Sequence, residues 1–248
     1  MSRNIFLEIA YDGTAFNGWQ VQSAGRTVQG ELEAALERIH GRRVVLHAAG
    51  RTDSGVHARA QCANFHTDHP SIPAAKFREA INTHLPLDLR VMRSREVPAE
   101  FHARFDAVSR EYRYYLLHAE IVPPHLKDRC VRLKARPDIS AWNRMAAALC
   151  GEHDFTTFAS PTDSVENCVR HVYAAAFHPE REFIVFRIEA NGFLWKMVRS
   201  IVGTIMEMDP PDVDRFAGIL HARDRSRAGT TAPARGLFLH RIRYANPI

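Results

Sequence analysis

The sequence predicts an α+β protein built from two halves, each of which mixes strands with helices. Apolar residues at every second position indicate strands, and apolar residues at every third or fourth position indicate helices. The chain of 248 residues is long enough to bury a substantial core, and its 46% hydrophobic and 25% charged residues are ordinary for a globular protein. This composition excludes collagen, a coiled coil and an intrinsically disordered chain.

The first half is predicted to alternate strands with two helices. Thr27 is the expected N-cap of a helix that ends before Gly41. A second helix, with Phe77 and Ile81 on one stripe, stops at Pro86. The strands are expected over residues 4–11, 44–49, 60–66 and 89–95.

The second half repeats this alternation. Asp138 or Ser140 is the expected cap of a helix that carries Trp142 and ends at Gly151, and a turn is expected at Pro179. Strands are expected over residues 110–117, 169–177, 182–190 and 237–244, and helices over 193–208 and 212–221. Composition and chemistry change near residues 99–108, which predicts an N-terminal half of residues 1–103 and a C-terminal half of residues 104–248.

The basic residues are mostly arginine. Lysine and arginine number 33 against 28 aspartates and glutamates, which gives a net charge of +5. Guanidinium groups bind phosphates in a bidentate manner and stack on bases, so an excess of arginine favours a nucleic-acid partner. A GC-rich coding bias explains the same composition equally well. The lysines are Lys76, Lys127, Lys134 and Lys196, and the other 29 basic residues are arginines.

The sequence shows no pattern typical of zinc binding, secretion or membrane insertion. None of the four cysteines lies in a C-x-x-C pair, and Cys62, His66 and His69 are interpreted as ordinary strand and loop residues. No apolar run reaches the length of about 18 residues that a membrane span needs. The first residues lead directly into a strand pattern without a signal peptide. We therefore expect a cytoplasmic protein with no metal site.

The segment with the clearest chemical meaning is GRTDSGVHA, residues 50–58, between two predicted strands. Gly50 and Gly55 allow a tight turn that projects the Asp53 carboxylate from a rigid sheet. Arg51 would favour the ionised carboxylate, which suits a nucleophile and not a general acid. The structural alternative is an Asx turn, in which Asp53 bonds to its own backbone.

The same letters, Asp53-Ser54-Gly55, match the D-[ST]-G pattern of aspartic proteases. Those enzymes use two carboxylates that share a proton. This chain contains one copy of the pattern, so a dimer would have to supply the second. The residues before Asp53 are also polar, where such a protease has an apolar strand.

Several separate motifs, in order along nearly the whole chain, resemble those of the tRNA pseudouridine synthase A family. Residues 50–58 resemble its catalytic loop, and residues 11–22 (YDGTAFNGWQVQ) resemble its opening motif. Motifs that match in the right order are far more specific than any one of them alone. The other matches are a TVQ helix (27–36), R-x-Y-x-Y (110–114), G-x-H-D-F (151–155), F-x-x-x-M-V-R-x-x-x-G (193–203) and T-A-P-A-x-G-L-x-L (231–239).

The resemblance implies an isomerase that converts uridine to pseudouridine at positions 38, 39 and 40 in the anticodon stem-loop of tRNA, without cofactor or metal. It also implies a homodimer and two ferredoxin-like halves whose antiparallel or mixed sheets join around a central basic cleft. The target uridine must flip out of the stem-loop at a cost of a few kcal/mol, which phosphate contacts can offset. The arginines considered for such contacts are Arg26, Arg42, Arg43, Arg78, Arg104 and Arg170.

By this resemblance, five residues form the site. Asp53 is the nucleophile, which either attacks C1′ of the ribose or adds to C6 of the uracil, and both routes need one ionised carboxylate. Arg51 lies beside it in sequence, and Arg199 pairs with it, because a lone arginine on an apolar helix is costly. Tyr112 stacks on or near the target base, and Leu237 closes the pocket over the uracil.

Each of these assignments has a structural alternative. Arg199 is alternatively an arginine that snorkels at a helix edge, and Leu237 a core leucine of a strand. Tyr112 and Tyr114 share a strand face, and for Tyr114 a purely structural role is preferred. A second class of function is a simple RNA-binding module, which is disfavoured because the basic residues are scattered and no aromatic run typical of an RRM appears.

Overall fold

The computed structural model describes residues 2–162 and 165–246. The helices are α1 (Val28–His40), α2 (Phe77–Asn82), α3 (Ile139–Ala147), α4 (Met197–Glu207) and α5 (Val213–His221). This mixture of helices and strands confirms the predicted α+β class. The strands are β1 (Arg3–Tyr11), β2 (His47–Ala48), β3 (His57–Thr67), β4 (Leu89–Val97), β5 (Ala107–His118), β6 (Val131–Leu133), β7 (Gly151–Asp154), β8 (Val169–Glu180), β9 (Phe183–Ala190) and β10 (Leu237–Tyr244).

The chain divides into two compact units. Unit 1 comprises Met1–Val108 and Phe238–Ile248, and unit 2 comprises Ser109–Leu237. This division differs from the sequence prediction in where it places β10, which beyond its first residue belongs to unit 1. The physical reason is strand pairing, since β10 lies parallel to β3 with Phe238 opposite His57.

Unit 1 is a sheet with two helices on one face. Its strand order is β4-β1-β3-β10, with β2 beside β3, and β1 runs antiparallel to both β3 and β4. Ile5 lies opposite Phe65 on β3, and the Phe65 ring contacts His40 of α1 and Phe77 of α2. The two helices therefore cover the face formed by Ile5 and its alternate neighbours, which are fully buried.

Helix α1 begins and ends where the sequence predicts. The Thr27 hydroxyl accepts a hydrogen bond from the Gly30 amide, which caps the first turn. Gly41 ends the helix with a φ of 67°, a left-handed conformation that suits glycine.

Unit 2 contains the strands β5-β9-β8-β7 in that order, with β6 parallel to β5. The other strands pair antiparallel. Trp142 of α3 packs on Phe177 of β8, and Asn143 exchanges hydrogen bonds with the Phe177 backbone in both directions. Asp138, one of the two predicted caps, accepts a hydrogen bond from the Ala141 amide.

Several element boundaries differ from the sequence prediction. The turn expected at Pro179 is wrong: Pro179 lies within β8, and the chain reverses at Arg181, whose φ is 55°. Proline is tolerated there because β7 pairs only with Val169–Val172, which leaves one side of β8 as an edge. Helix α4 begins at Met197 and not at residue 193, β2 and α2 are shorter than predicted, and β6 and β7 were not predicted.

Candidate active site

The loop that carries Asp53 makes the turn expected from the sequence. The Val56 amide donates a hydrogen bond to the Asp53 carbonyl oxygen at 3.1 Å, and Gly55 has a left-handed φ of 77°. Asp53 is half-buried, whereas Arg51 and Ser54 are exposed. The turn immediately precedes β3, so the carboxylate is carried at the end of a sheet strand.

Residue 52 is fixed from two sides by the opening motif of the chain. The Trp19 amide donates to the Thr52 carbonyl oxygen at 3.0 Å, and the hydroxyls of Tyr11 and Thr52 are hydrogen-bonded at 2.8 Å in a buried position. Burial raises the pKa of the Tyr11 phenol, so this hydroxyl stays protonated at neutral pH. The residue directly before Asp53 is therefore held by both its backbone and its side chain.

The turn beyond Asp53 is held by the same segment. The Phe16 carbonyl oxygen accepts hydrogen bonds from the Gly55 amide and the Ser54 hydroxyl, both at 3.3 Å. A Cβ at Gly13 would collide with the Val56 carbonyl oxygen, so only glycine allows the two backbones to approach this closely. Residues 11–19 thus form a cradle for the loop, which gives this motif a positioning role.

His57 is part of this cradle, although the sequence did not single it out. Its side chain is only 1% exposed and stacks on Phe238 with ring centroids 4.4 Å apart. Its Nδ1 accepts the Gly13 amide at 3.0 Å and lies 3.2 Å from Asp12 Oδ1. The sequence signal for this role is the position of His57, four residues after Asp53 within the segment GRTDSGVHA.

Tyr112 and Tyr114 lie on β5 in unit 2 and differ in their surroundings. Tyr114 is fully buried, its hydroxyl donates to the Pro233 carbonyl oxygen at 2.7 Å, and its ring lies against Gly236. Tyr112 is 8% exposed and packs edge-to-face on Phe193 with ring centroids 5.1 Å apart. Tyr114 is therefore anchored through its hydroxyl inside the core of unit 2, whereas the contact of Tyr112 with Phe193 is made by its ring.

Arg199 is joined to the segment that precedes β10. Its Nε donates to the Ala232 carbonyl oxygen at 2.8 Å, and the Ala232 amide donates back to the Arg199 carbonyl oxygen at 3.0 Å. A Cβ at Gly203 would collide with the Thr230 carbonyl oxygen, so this close approach again requires glycine. Arg199 is half-buried as a residue, and its bond to the Ala232 carbonyl orients the guanidinium.

The five predicted site residues fall into two groups. Arg51 and Asp53 lie on one loop of unit 1, and Arg199, Tyr112 and Leu237 belong to unit 2. Leu237 is 5% exposed and is the first residue of β10.

Arg26 is a structural residue, which corrects its place among the expected phosphate contacts. Its two terminal nitrogens bind both carboxylate oxygens of Asp88, at 2.7 and 2.8 Å, and its Nε donates to Glu31 at 2.7 Å. The guanidinium also lies 4.2 Å from the centroid of the Phe16 ring. The ion pair of Arg26 with Asp88 therefore supports the cradle of residues 11–19 through the contact of Arg26 with Phe16. Arg42 and Arg78 form exposed pairs with Asp68 and Glu79.

The described part of the chain contains neither a cluster of metal ligands nor a helix that could span a membrane. Within residues 2–162 and 165–246, no three His, Cys, Asp or Glu side chains come together in a way that could hold a metal ion. Over the same residues, no helix combines the length and apolar character needed to cross a bilayer. The four cysteines are free thiols, two of them buried.

Comparisons with known proteins agree on one family. A family model described as tRNA pseudouridine synthase matches residues 9–106 and 145–245. A tRNA pseudouridine synthase A from Treponema denticola is 45% identical over 249 residues, which cover 98% of this chain and 93% of the relative. Proteins of the same name from Geobacter sp. strain M21 and Borrelia duttonii are 42% and 41% identical, over 98% of this chain and 99% of each relative.

Proposed function

Because this chain belongs to the tRNA pseudouridine synthase A family and is therefore an isomerase, we propose that it converts uridine to pseudouridine at positions 38, 39 and 40 of the tRNA anticodon stem-loop. The observation that carries this proposal is the clamped loop at Asp53, whose flanking residues are bonded to the cradle of residues 11–19 on both sides. Such a loop holds a carboxylate in one position for reaction.

The proposed chemistry needs one ionised carboxylate and no redox partner. The C1′–N1 bond of uridine breaks and a C1′–C5 bond forms, while the proton at C5 is lost to solvent and N1 takes one up. Substrate and product are isomers, so the reaction requires neither an oxidant nor a reductant, and we propose that it proceeds without a cofactor. Asp53 acts as the nucleophile, either by capture of C1′ or by addition to C6 of the uracil.

Two arginines are proposed to act with Asp53 in the reaction. Arg51 shares its loop, and a nearby guanidinium favours the carboxylate that the nucleophile needs. Arg199 is assigned by its motif, and its bond to the Ala232 carbonyl supports the role, because it fixes the direction of the guanidinium. The Arg199–Asp53 pair itself stays a prediction.

The uracil is proposed to bind to Tyr112 and Leu237 after it has flipped out of the stem-loop. Stacking on an aromatic ring contributes about 1–3 kcal/mol per base, enough to offset part of the cost of flipping. The edge-to-face contact with Phe193 supports this assignment, because it keeps the Tyr112 ring in one orientation. We further propose that the enzyme acts on tRNA in the cytoplasm as a homodimer.

The proposal is tested with unmodified tRNA that carries tritium at C5 of uridine, incubated with the protein without added cofactor. Wild-type protein releases tritium, whereas Asp53→Asn releases none and still retains tRNA on a filter. Asp68→Asn, a change of one exposed carboxylate in the same unit, serves as the matched control and keeps wild-type turnover. Turnover by Asp53→Asn excludes Asp53 as the nucleophile. A wild-type protein that releases no tritium from this tRNA overturns the proposed reaction at these positions.

A further inference from the structure

An open cavity of about 260 Å³ lies in unit 1, away from the loop of Asp53. It is lined by residues of β1, β3 and β4 and by the C-terminal end of the chain. The residues that matter for its chemistry are Phe6, Glu8, Arg93, Arg95, Arg243 and Tyr244.

Strand register places these side chains on the face of the sheet that α1 and α2 leave uncovered. In the antiparallel pair of β1 and β4, Phe6 lies opposite Arg95 and Glu8 lies opposite Arg93. Residues directly opposite each other project to the same face, and this face alternates with the face of Ile5 that the helices cover. The two arginines and Glu8 therefore converge on one side of the sheet.

Positive charge dominates the cavity. Three guanidinium groups, those of Arg93, Arg95 and Arg243, line it together with one carboxylate, that of Glu8. Among the residues described by the structure, neither Arg93 nor Arg95 forms an ion pair with a carboxylate within 4.0 Å. Burial lowers the pKa of Arg95, and the positive charge of Arg93 lowers it further. The negative charge of Glu8 raises this pKa, but it offsets the decrease only in part. A cation in this situation is stabilised by an incoming anion.

The aromatic residues of the cavity are rigidly held. The Arg95 guanidinium lies 5.5 Å from the centroid of the Phe6 ring. The Tyr244 ring meets Phe6 edge-on with centroids 6.0 Å apart, and its hydroxyl donates to the Ala103 carbonyl oxygen at 2.9 Å. An arginine next to an aromatic ring, with further arginines at its side, is a common surface for a nucleotide chain, whose phosphates bind guanidinium groups.

We propose that this cavity binds a phosphodiester of the substrate RNA, as a second contact separate from the Asp53 loop. This assignment rests on the proposed function, since it takes tRNA as the ligand. Arg93 and Arg243 are exposed, so a polymer can reach them from outside, and Arg95 lies deeper beside Phe6. The site therefore adds affinity for RNA and takes no part in the bond changes at the uridine.

The test compares two double variants that each remove two positive charges from unit 1. Arg93→Gln with Arg95→Gln changes the cavity. Arg38→Gln with Lys76→Gln changes exposed basic residues at α1 and next to α2, and serves as the control. For both variants, the tRNA dissociation constant is measured by filter binding between about 50 and about 200 mM salt, and urea unfolding checks that each variant is folded.

We expect the cavity variant to bind tRNA about tenfold more weakly than wild type at physiological salt, with a salt slope smaller by about 0.8 because the contact with one phosphate is lost. The KM for tRNA rises by a similar factor, and the control stays within about twofold of wild type. Equal losses in the two variants, or none in either, overturn the proposal. Calorimetry with inorganic phosphate gives a further check. If wild type binds inorganic phosphate tightly and the cavity variant does not, the cavity is a site for small anions and the proposal is overturned. These experiments measure the binding of tRNA. They therefore test the cavity as an RNA contact even if the protein releases no tritium and the proposed reaction is wrong.

Discussion

The Thr52 carbonyl oxygen lies 2.6 Å from the point where a Cβ at Gly18 would stand. The next residue, Trp19, donates its amide to the same oxygen at 3.0 Å. Gly18 also has a φ of 82°, which side chains rarely adopt. Gly18, which is 34 residues before Thr52 in the sequence, therefore sets the position of the residue directly before Asp53.

We expect Gly18→Ala to lower turnover about 100-fold, because the new methyl group displaces the loop and a shift of about 1 Å at a reacting group has an effect of this size. The free energy of unfolding should fall by about 1–3 kcal/mol from the left-handed φ and the close contact. Tritium release and urea unfolding measure the two effects. Gly41→Ala is the matched control, since Gly41 also has a positive φ of 67° but no atom near its Cβ position. Equal turnover in the two variants would show that the Gly18 contact does not position the loop.

Substitutions of the two tyrosines of β5 should have different effects, one mainly on turnover and the other mainly on the free energy of unfolding. Tyr114→Phe removes a buried hydrogen bond to Pro233 and leaves that carbonyl without its donor, so the free energy of unfolding should fall by about 1–3 kcal/mol while turnover changes little. Tyr112→Leu should lower turnover more than Tyr114→Phe, because it removes the ring that we propose stacks on the uracil. Single-turnover tritium release and urea unfolding compare the variants. Equal losses of turnover would mean that the strand is only structural.

His57 should act on turnover through the loop. His57→Leu removes the acceptor for the Gly13 amide and leaves a buried donor unsatisfied, which should lower both stability, by about 1–3 kcal/mol, and turnover. His57→Asn keeps an oxygen acceptor near the position of Nδ1, so we expect it to recover most of the lost turnover. The readout is the rate at saturating tRNA for both variants. If Asn and Leu behave alike, the role of His57 is packing against Phe238 and not the bond to Gly13.

Sequence patterns correctly predict those parts of the structure that depend on residues close together in the sequence. Thr27 and Gly41 delimit α1 as expected, and the turn at Gly55 follows from the glycine itself. The contact of Gly18 with Thr52 could not be predicted, because it joins distant segments through backbone atoms that have no residue-specific pattern.

Partners that are far apart in sequence explain the other differences. The sequence suggests Arg26 as an RNA contact, because a local pattern does not show its partner Asp88, 62 residues away. The sequence predicts a turn at Pro179, because a local pattern cannot show that β8 is an edge strand at that point. The parallel pairing of β10 with β3, likewise, depends on the three-dimensional arrangement and not on chain order.

The pair of Arg26 and Asp88 should make stability depend on pH in the acid range. The hydrogen bonds from Arg26 lower the pKa of Asp88 in the folded protein. A carboxyl whose folded pKa is lowered stabilises the fold at pH values above the ordinary value of about 3.9, and this contribution is lost as the pH falls through the folded pKa. We expect Asp88→Asn to be less stable than wild type by about 1 kcal/mol at pH 7, and the gap to close toward about pH 2. Urea unfolding across this pH range measures the gap. Asp68→Asn, which removes an exposed pair with Arg42, is the control and should show a smaller gap at neutral pH. A gap for Asp88→Asn that stays constant with pH would show that the residue contributes through packing and not through its charge.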